Sequence, residues 1–125
     1  MIGSLMMRVS VVILLAGMLA GIAMGIEENF ALASAHAHLN LIGGVLLFLF
    51  GLYYRLVPAA GTMPLAKVQG WLHIVGSIVF PAGVALVVLE GPSSVMAFVA
   101  PVVGSLIVVA ALALFAVIVF RTSRA

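Results

Sequence analysis

Two histidines stand two positions apart in Ala35-His36-Ala37-His38-Leu39-Asn40, at the head of a long apolar run. An ionisable side chain held among hydrocarbon is costly, and it marks a functional site by default. A neutral imidazole in such a place serves most often as a metal or heme-iron ligand. On a helix, residues two apart are splayed by ~200°. His36 and His38 therefore face nearly opposite ways and cannot grip both sides of one heme within one chain. The His36 face continues through Asn40, Gly43, Leu47, Phe50 and Tyr54; the His38 face continues through Leu41, Ile42, Val45, Leu49 and Leu52. Asn40 is a candidate for orienting a ligating histidine. Gly43 and Gly44 leave room for a flat macrocycle or for a close helix neighbour. The competing use of both histidines is as polar contacts between transmembrane helices, worth ~0.6–2 kcal/mol each.

The elements that must position these residues are membrane spans. Of 125 residues, 66% are hydrophobic and 6% charged, and the mean hydropathy is +1.46. A soluble domain carries about 25% charged residues. The composition predicts an all-α integral membrane four-helix bundle, one domain over residues 1–125. A helix needs roughly 20 residues to cross ~30 Å of hydrocarbon. Four runs qualify, near 9–26, 35–57, 68–89 and 95–120. Glu27-Glu28-Asn29, Pro58 to Pro64, and Glu90-Gly91-Pro92-Ser93-Ser94 break them, and each break is short and turn-like. Ser34 is a candidate cap for the second helix, and Ser93 or Ser94 for the fourth. Short breaks give an up-down-up-down order. Gly17-Met18-Leu19-Ala20-Gly21 presents a small-xxx-small face for helix packing, and Pro81 and Pro101 would kink the third and fourth helices.

Charge sets the expected orientation. Arg8, Arg55, Lys67, Arg121 and Arg124 fall on one side of the spans, and Glu27, Glu28 and Glu90 on the other. The positive-inside rule then places both termini in the cytoplasm and the His36/His38 end near the outer face. A signal peptide over residues 1–35, cleaved near Ala31-Leu32-Ala33, is the competing view of the first helix, although its apolar run is long for one. A net charge of +2, scattered along the chain, gives no nucleic-acid footprint. With no cysteine, disulfides, thiolate metal sites and covalent heme attachment are excluded.

His73 is the third histidine. Counting from a helix start near Val68, it lies ~9 Å in from the cytoplasmic side, 15 Å or more from the other two. The expectation is a hydrogen-bonding core histidine paired with Tyr53, Tyr54 or Ser77. The functional alternative is a proton or quinone-headgroup contact on the inner side. Met18, Met24 and Met63 are weaker thioether candidates. Glu27 and Glu28 are candidate oxygen ligands for a divalent metal or copper beside His36 and His38.

At the second helix, His38-Leu39-Asn40, an apolar run, and Gly51-Leu52-Tyr53-Tyr54-Arg55-Leu56-Val57-Pro58 resemble helix II of heme-copper oxidase subunit I, nearest its nitric oxide reductase and cbb3-type branches. Lys67-Val68-Gln69-Gly70-Trp71-Leu72 resembles the start of the next helix there. About fifty residues carry the likeness. In that family the His-X-Asn histidine ligates the low-spin heme, which implies His38 as a heme b ligand here. The family's catalytic subunit has about twelve helices and a copper ion on three further histidines. This chain has four candidate helices and no such histidine set, so the resemblance implies a non-catalytic cytochrome more than an oxidase. His36-Ala37-His38 also resembles the family's later His-X-His, whose histidines face different heme pockets.

Twelve helices in three pseudo-equivalent groups of four imply a homotrimer of this chain. His36 of one copy and His38 of the next would then hold one heme b at each interface, closing a ring. Bis-His iron has no open position and suits one-electron transfer. A quinol or another cytochrome is the redox partner this implies, in the cytoplasmic (inner) membrane of a bacterium or archaeon. The other function classes are a small divalent-metal or copper transporter or assembly factor, and an accessory structural subunit.

Overall fold

The computed structural model describes residues 1–123. Four long helices account for most of them: α1 (Ile2–Glu27), α2 (Ala33–Leu56), α4 (Pro64–Glu90) and α5 (Val95–Thr122). Each is long and apolar enough to cross a bilayer. A single helical turn, α3 (Pro58–Gly61), lies in the second connection. No strand occurs among the described residues.

Two helix starts lie further upstream than the apolar runs suggest. α1 begins at Ile2 rather than near Val9, with Arg8 exposed on its surface. An arginine near a membrane helix end need not end it, because its stem lies along apolar surface while the head reaches polar surroundings. α4 begins at Pro64 rather than near Val68. Proline favours the first helical position, where no N–H is needed, so Pro58 and Pro64 each open a helix instead of spacing two apart. The caps also differ. Ser34 lies inside α2, whose first residue is Ala33, and makes no side-chain cap. Ser94 does cap α5, its Oγ accepting from Ala97 N–H at 3.3 Å, while its hydroxyl donates to the Glu90 carboxylate. α1 stops at Glu28, whose φ of 51° turns the chain into the left-handed region.

Apolar burial gives little drive for association between helices already in lipid, so close packing and polar contacts must supply it. α4 and α5 make the closest seam. A Cβ on Gly83 would overlap the Pro101 main chain, and one on Gly104 would lie 2.5 Å from Phe80 Cα. Both helices run unbroken through Pro81 and Pro101. α1 crosses α2 with Gly3 and Gly51 in mutual contact. At the centre, Leu47, Phe50 and Tyr54 of α2 meet Met6 of α1 and Ile118 of α5. Phe50 stacks on Phe115 with ring centroids 4.0 Å apart.

Positive residues gather at one end. Arg55 donates to Ser4 Oγ at 3.3 Å, Lys67 shares a cleft with Met1, and Arg121 adjoins Thr122, whose hydroxyl meets Tyr53 Oη at 2.7 Å. Glu27, Glu28 and Glu90 lie at the far ends of their helices. Arg124 lies outside the described residues.

A fully buried polar line runs down α4, spaced at one helical turn: Gln69, His73 and Ser77. Tyr54 donates to Gln69 Oε1 at 2.9 Å. Tyr54→Phe strands that oxygen where water is scarce, so a loss of about 1–3 kcal/mol is expected. Reversible unfolding of the micellar protein in a denaturing detergent measures it, and an unchanged midpoint would contradict it.

Candidate functional site

The head of α2 is an ordinary α-helix through His38, and residues Leu39–Leu46 are then wound as a π-helix. Asn40, Gly43 and Gly44 are poor helix formers, and π-turns recur at functional sites. In this stretch Leu47 N–H reaches back five residues to the Ile42 carbonyl. The sequence predicts an unbroken α-helix here, because hydrophobic periodicity does not distinguish one slipped turn from none.

His38 donates from Nδ1 to the Ser34 carbonyl at 2.7 Å. A carbonyl only accepts, so this bond fixes the proton on Nδ1. The Nε2 lone pair makes no hydrogen bond among the described residues. That is the state of a metal-binding imidazole, whose second nitrogen is usually tied to a carbonyl or carboxylate. The ring meets Phe80 of α4 edge-on, with centroids 4.9 Å apart.

His36 is held differently. It turns toward α1, where a Cβ on Gly21 would lie 3.2 Å from its Cε1. Asn40 Nδ2 lies 3.0 Å from its Nε2 and 3.4 Å from its Nδ1. The Asn40 amide in turn rests on Gly17, where any Cβ would overlap Oδ1. Gly17 and Gly21 thus form the predicted small-residue face, and what they seat is the His36–Asn40 pair. Asn40 Oδ1 is buried with no hydrogen-bond partner.

The histidines therefore face separate surfaces, His36 toward α1 and His38 toward α4. His36 also lines an open, apolar cleft of about 380 Å³ between α1, α2 and α4. Ala20, Ala35, Ala82 and Ala85 form much of its wall, with Met24 and Pro81. Gly43 and Gly44 do not open onto it. Ile13 lies against Gly43 from one side and Ser77 from another, and Leu14 covers Gly44. Of the two uses expected for these glycines, close helix approach is the one found.

His73 is fully buried and donates from Nε2 to the Ile42 carbonyl at 3.0 Å, its ring edge-on to Phe50. Its partner is thus the α2 main chain rather than Tyr53, Tyr54 or Ser77. Because α4 starts at Pro64, His73 is its tenth residue, ~14 Å from that helix end rather than ~9 Å. Ile42 is six residues beyond His36, about 9 Å along the axis.

No group of three His, Asp or Glu side chains able to hold a metal ion forms among the described residues. Glu27 and Glu28 do not join His36 and His38 in such a group among the described residues. Phe80 and the Ser34 carbonyl are the site's partners that the sequence left unmarked. The carbonyl carries no residue-type signal; Phe80 reads as lipid-facing apolar filler. No family model, curated protein or solved structure matches this chain.

Proposed function

We propose that this chain is a heme b-binding membrane cytochrome that passes single electrons through bis-histidine iron. The observation that carries the reading is the Nδ1 bond of His38 to the Ser34 carbonyl at 2.7 Å, which presents Nε2 as a lone pair. In this reading His38 would supply one nitrogen to the iron. The alanine-walled cleft beside His36 receives the ring of a heme carried by the neighbouring copy. Its volume of about 380 Å³ falls within the ~300–1,000 Å³ of small-molecule sites. His36 would supply the second nitrogen, for which the Asn40 amide, 3.0 Å from His36 Nε2, has to turn aside. Gly43 and Gly44 act in helix packing, not in heme contact.

The two ligands point to separate surfaces, so one iron must draw them from two chains. A head-to-tail interface of this kind closes into a ring, and three copies restore twelve helices. The bundle then runs up-down-up-down with both termini cytoplasmic, since Arg8, Arg55, Lys67 and Arg121 mark the inner end. A bis-histidine iron supplies reversible one-electron transfer. The chain's own part is to present the imidazoles and to exclude water with an apolar wall. A quinol or a second cytochrome would deliver the electron, in the inner membrane of a bacterium or archaeon.

A reduced-minus-oxidised visible spectrum of the purified protein, with heme counted per chain and mass measured in the same detergent, tests this. Sharp low-spin b-type bands at one heme per chain in a trimer are expected. A monomer with six-coordinate heme overturns the inter-chain arrangement. A colourless protein that takes up no heme overturns the cytochrome reading and leaves His36 and Asn40 as helix-packing contacts.

A further inference from the structure

We propose that the bundle core holds one internal water molecule between Gln69 and His73, completing a hydrogen-bond chain from Tyr54 to the π-wound segment of α2. Both side chains are fully buried, and each has one polar atom without a partner: Gln69 Nε2 and His73 Nδ1. They sit four residues apart on α4, the spacing at which side chains on a helix are neighbours.

The two unpartnered atoms are complementary in sense. Tyr54 donates to Gln69 Oε1, which leaves the amide N–H₂ as a donor. His73 gives its Nε2 proton to the Ile42 carbonyl, which leaves Nδ1 of the neutral ring as an acceptor. A bridging group must therefore accept from one and donate to the other. A metal cation fails, because it cannot bind an amide N–H. An anion fails, because it cannot donate to Nδ1. Water does both. An internal water makes 2–4 such bonds.

Every bond in the chain then points the same way: Tyr54 to Gln69, Gln69 to water, water to His73, His73 to Ile42. The water keeps Nδ1 an acceptor, so the ring's proton stays on Nε2 and on the carbonyl of the π segment. His73 becomes a positioning residue for that segment, which sets the angle between the head of α2 and its lower half.

Nitrogen NMR of histidine-labelled protein in lipid nanodiscs decides the matter and needs no heme. The expected result for the wild type has three parts: the Nε2–H form at His73, an Nδ1 resonance shifted by an accepted hydrogen bond, and magnetisation transfer from water to His73. Gln69→Met should lose the shift and the transfer together. An Nδ1 resonance of a bare lone pair without water transfer in the wild type overturns the proposal, whether or not the variant folds. So does a folded Gln69→Met protein that keeps both signals.

Discussion

A leucine at Gly83 is expected to detach α5 from α4. The added Cβ would overlap the main-chain nitrogen of Pro101 and crowd the Ala100 carbonyl carbon. These are backbone atoms inside a helix, and no rotamer change removes them. The helices must move apart, and with them Gly104, whose own missing side chain lets the Phe80 main chain close in. Overpacking of this kind typically costs about 1–3 kcal/mol and occasionally more. Contact with a backbone rather than a side-chain tip places Gly83→Leu at the upper end. A drop of that size in detergent unfolding, with loss of monodisperse protein, is the expected readout. Gly25→Leu is the matched control, since a Cβ there meets nothing within 4 Å. If both variants unfold at the wild-type midpoint, the α4–α5 seam does not hold the bundle.

If the chain binds heme as proposed, His38→Ala is expected to bring heme content to background while the helical spectrum stays that of the wild type. The side chain is partly exposed and its only hydrogen bond goes to a carbonyl one turn back, so its removal opens no buried cavity. Asn40→Leu should act differently. It leaves both imidazoles in place but removes the group within 3.0 Å of His36 Nε2. That amide nitrogen can only donate, so it occupies the imidazole lone pair, and its removal is expected to leave heme binding at or above the wild-type level. Heme titration of the three proteins side by side checks the ranking. Heme loss in Asn40→Leu as complete as in His38→Ala would mean that Asn40 is itself a ligand or that the site has collapsed. Full heme retention in His38→Ala would remove His38 from the iron.

These two experiments probe different layers. The Gly83 seam lies between α4 and α5 and involves no polar site residue. The His38 bond lies within one turn of α2. A protein that fails the first and passes the second would have a well-made ligand on a loosely packed bundle.

Much of this organisation is legible in the order of residues. Four runs of apolar side chains, broken at Glu27-Glu28-Asn29, at Pro58 to Pro64 and at Glu90 to Ser94, dictate four spanning helices. A backbone in hydrocarbon has to satisfy its polar groups within each span. The splay of His36 and His38 is likewise local, because 3.6 residues per turn leaves no other outcome for neighbours two apart. The role of Gly17 and Gly21 as a packing face also follows from spacing alone. The polar line of Gln69, His73 and Ser77 went unread, although the three lie one turn apart in an apolar helix.

Contacts between distant segments settled the rest. His73 bonds to Ile42, 31 residues away, and Tyr54 to Gln69, 15 away. Neither choice could be read from residue type, since several partners of equal chemistry lay within reach. Gly43 and Gly44 suited a macrocycle or a helix equally well until Ile13 and Leu14 of α1 came to lie on them. The π-winding of Leu39–Leu46 combines poor local helix formers with an outside donor at one of its carbonyls, and no pattern along one helix encodes that donor. The tautomer of His38 rests on a main-chain oxygen whose direction depends on where the helix begins, two residues before a Ser34 cap would have placed it. Composition and periodicity decided that this chain is a set of membrane helices bearing two splayed imidazoles. Packing between helices decided which atoms of those imidazoles are free, because that depends on groups brought near only by the fold.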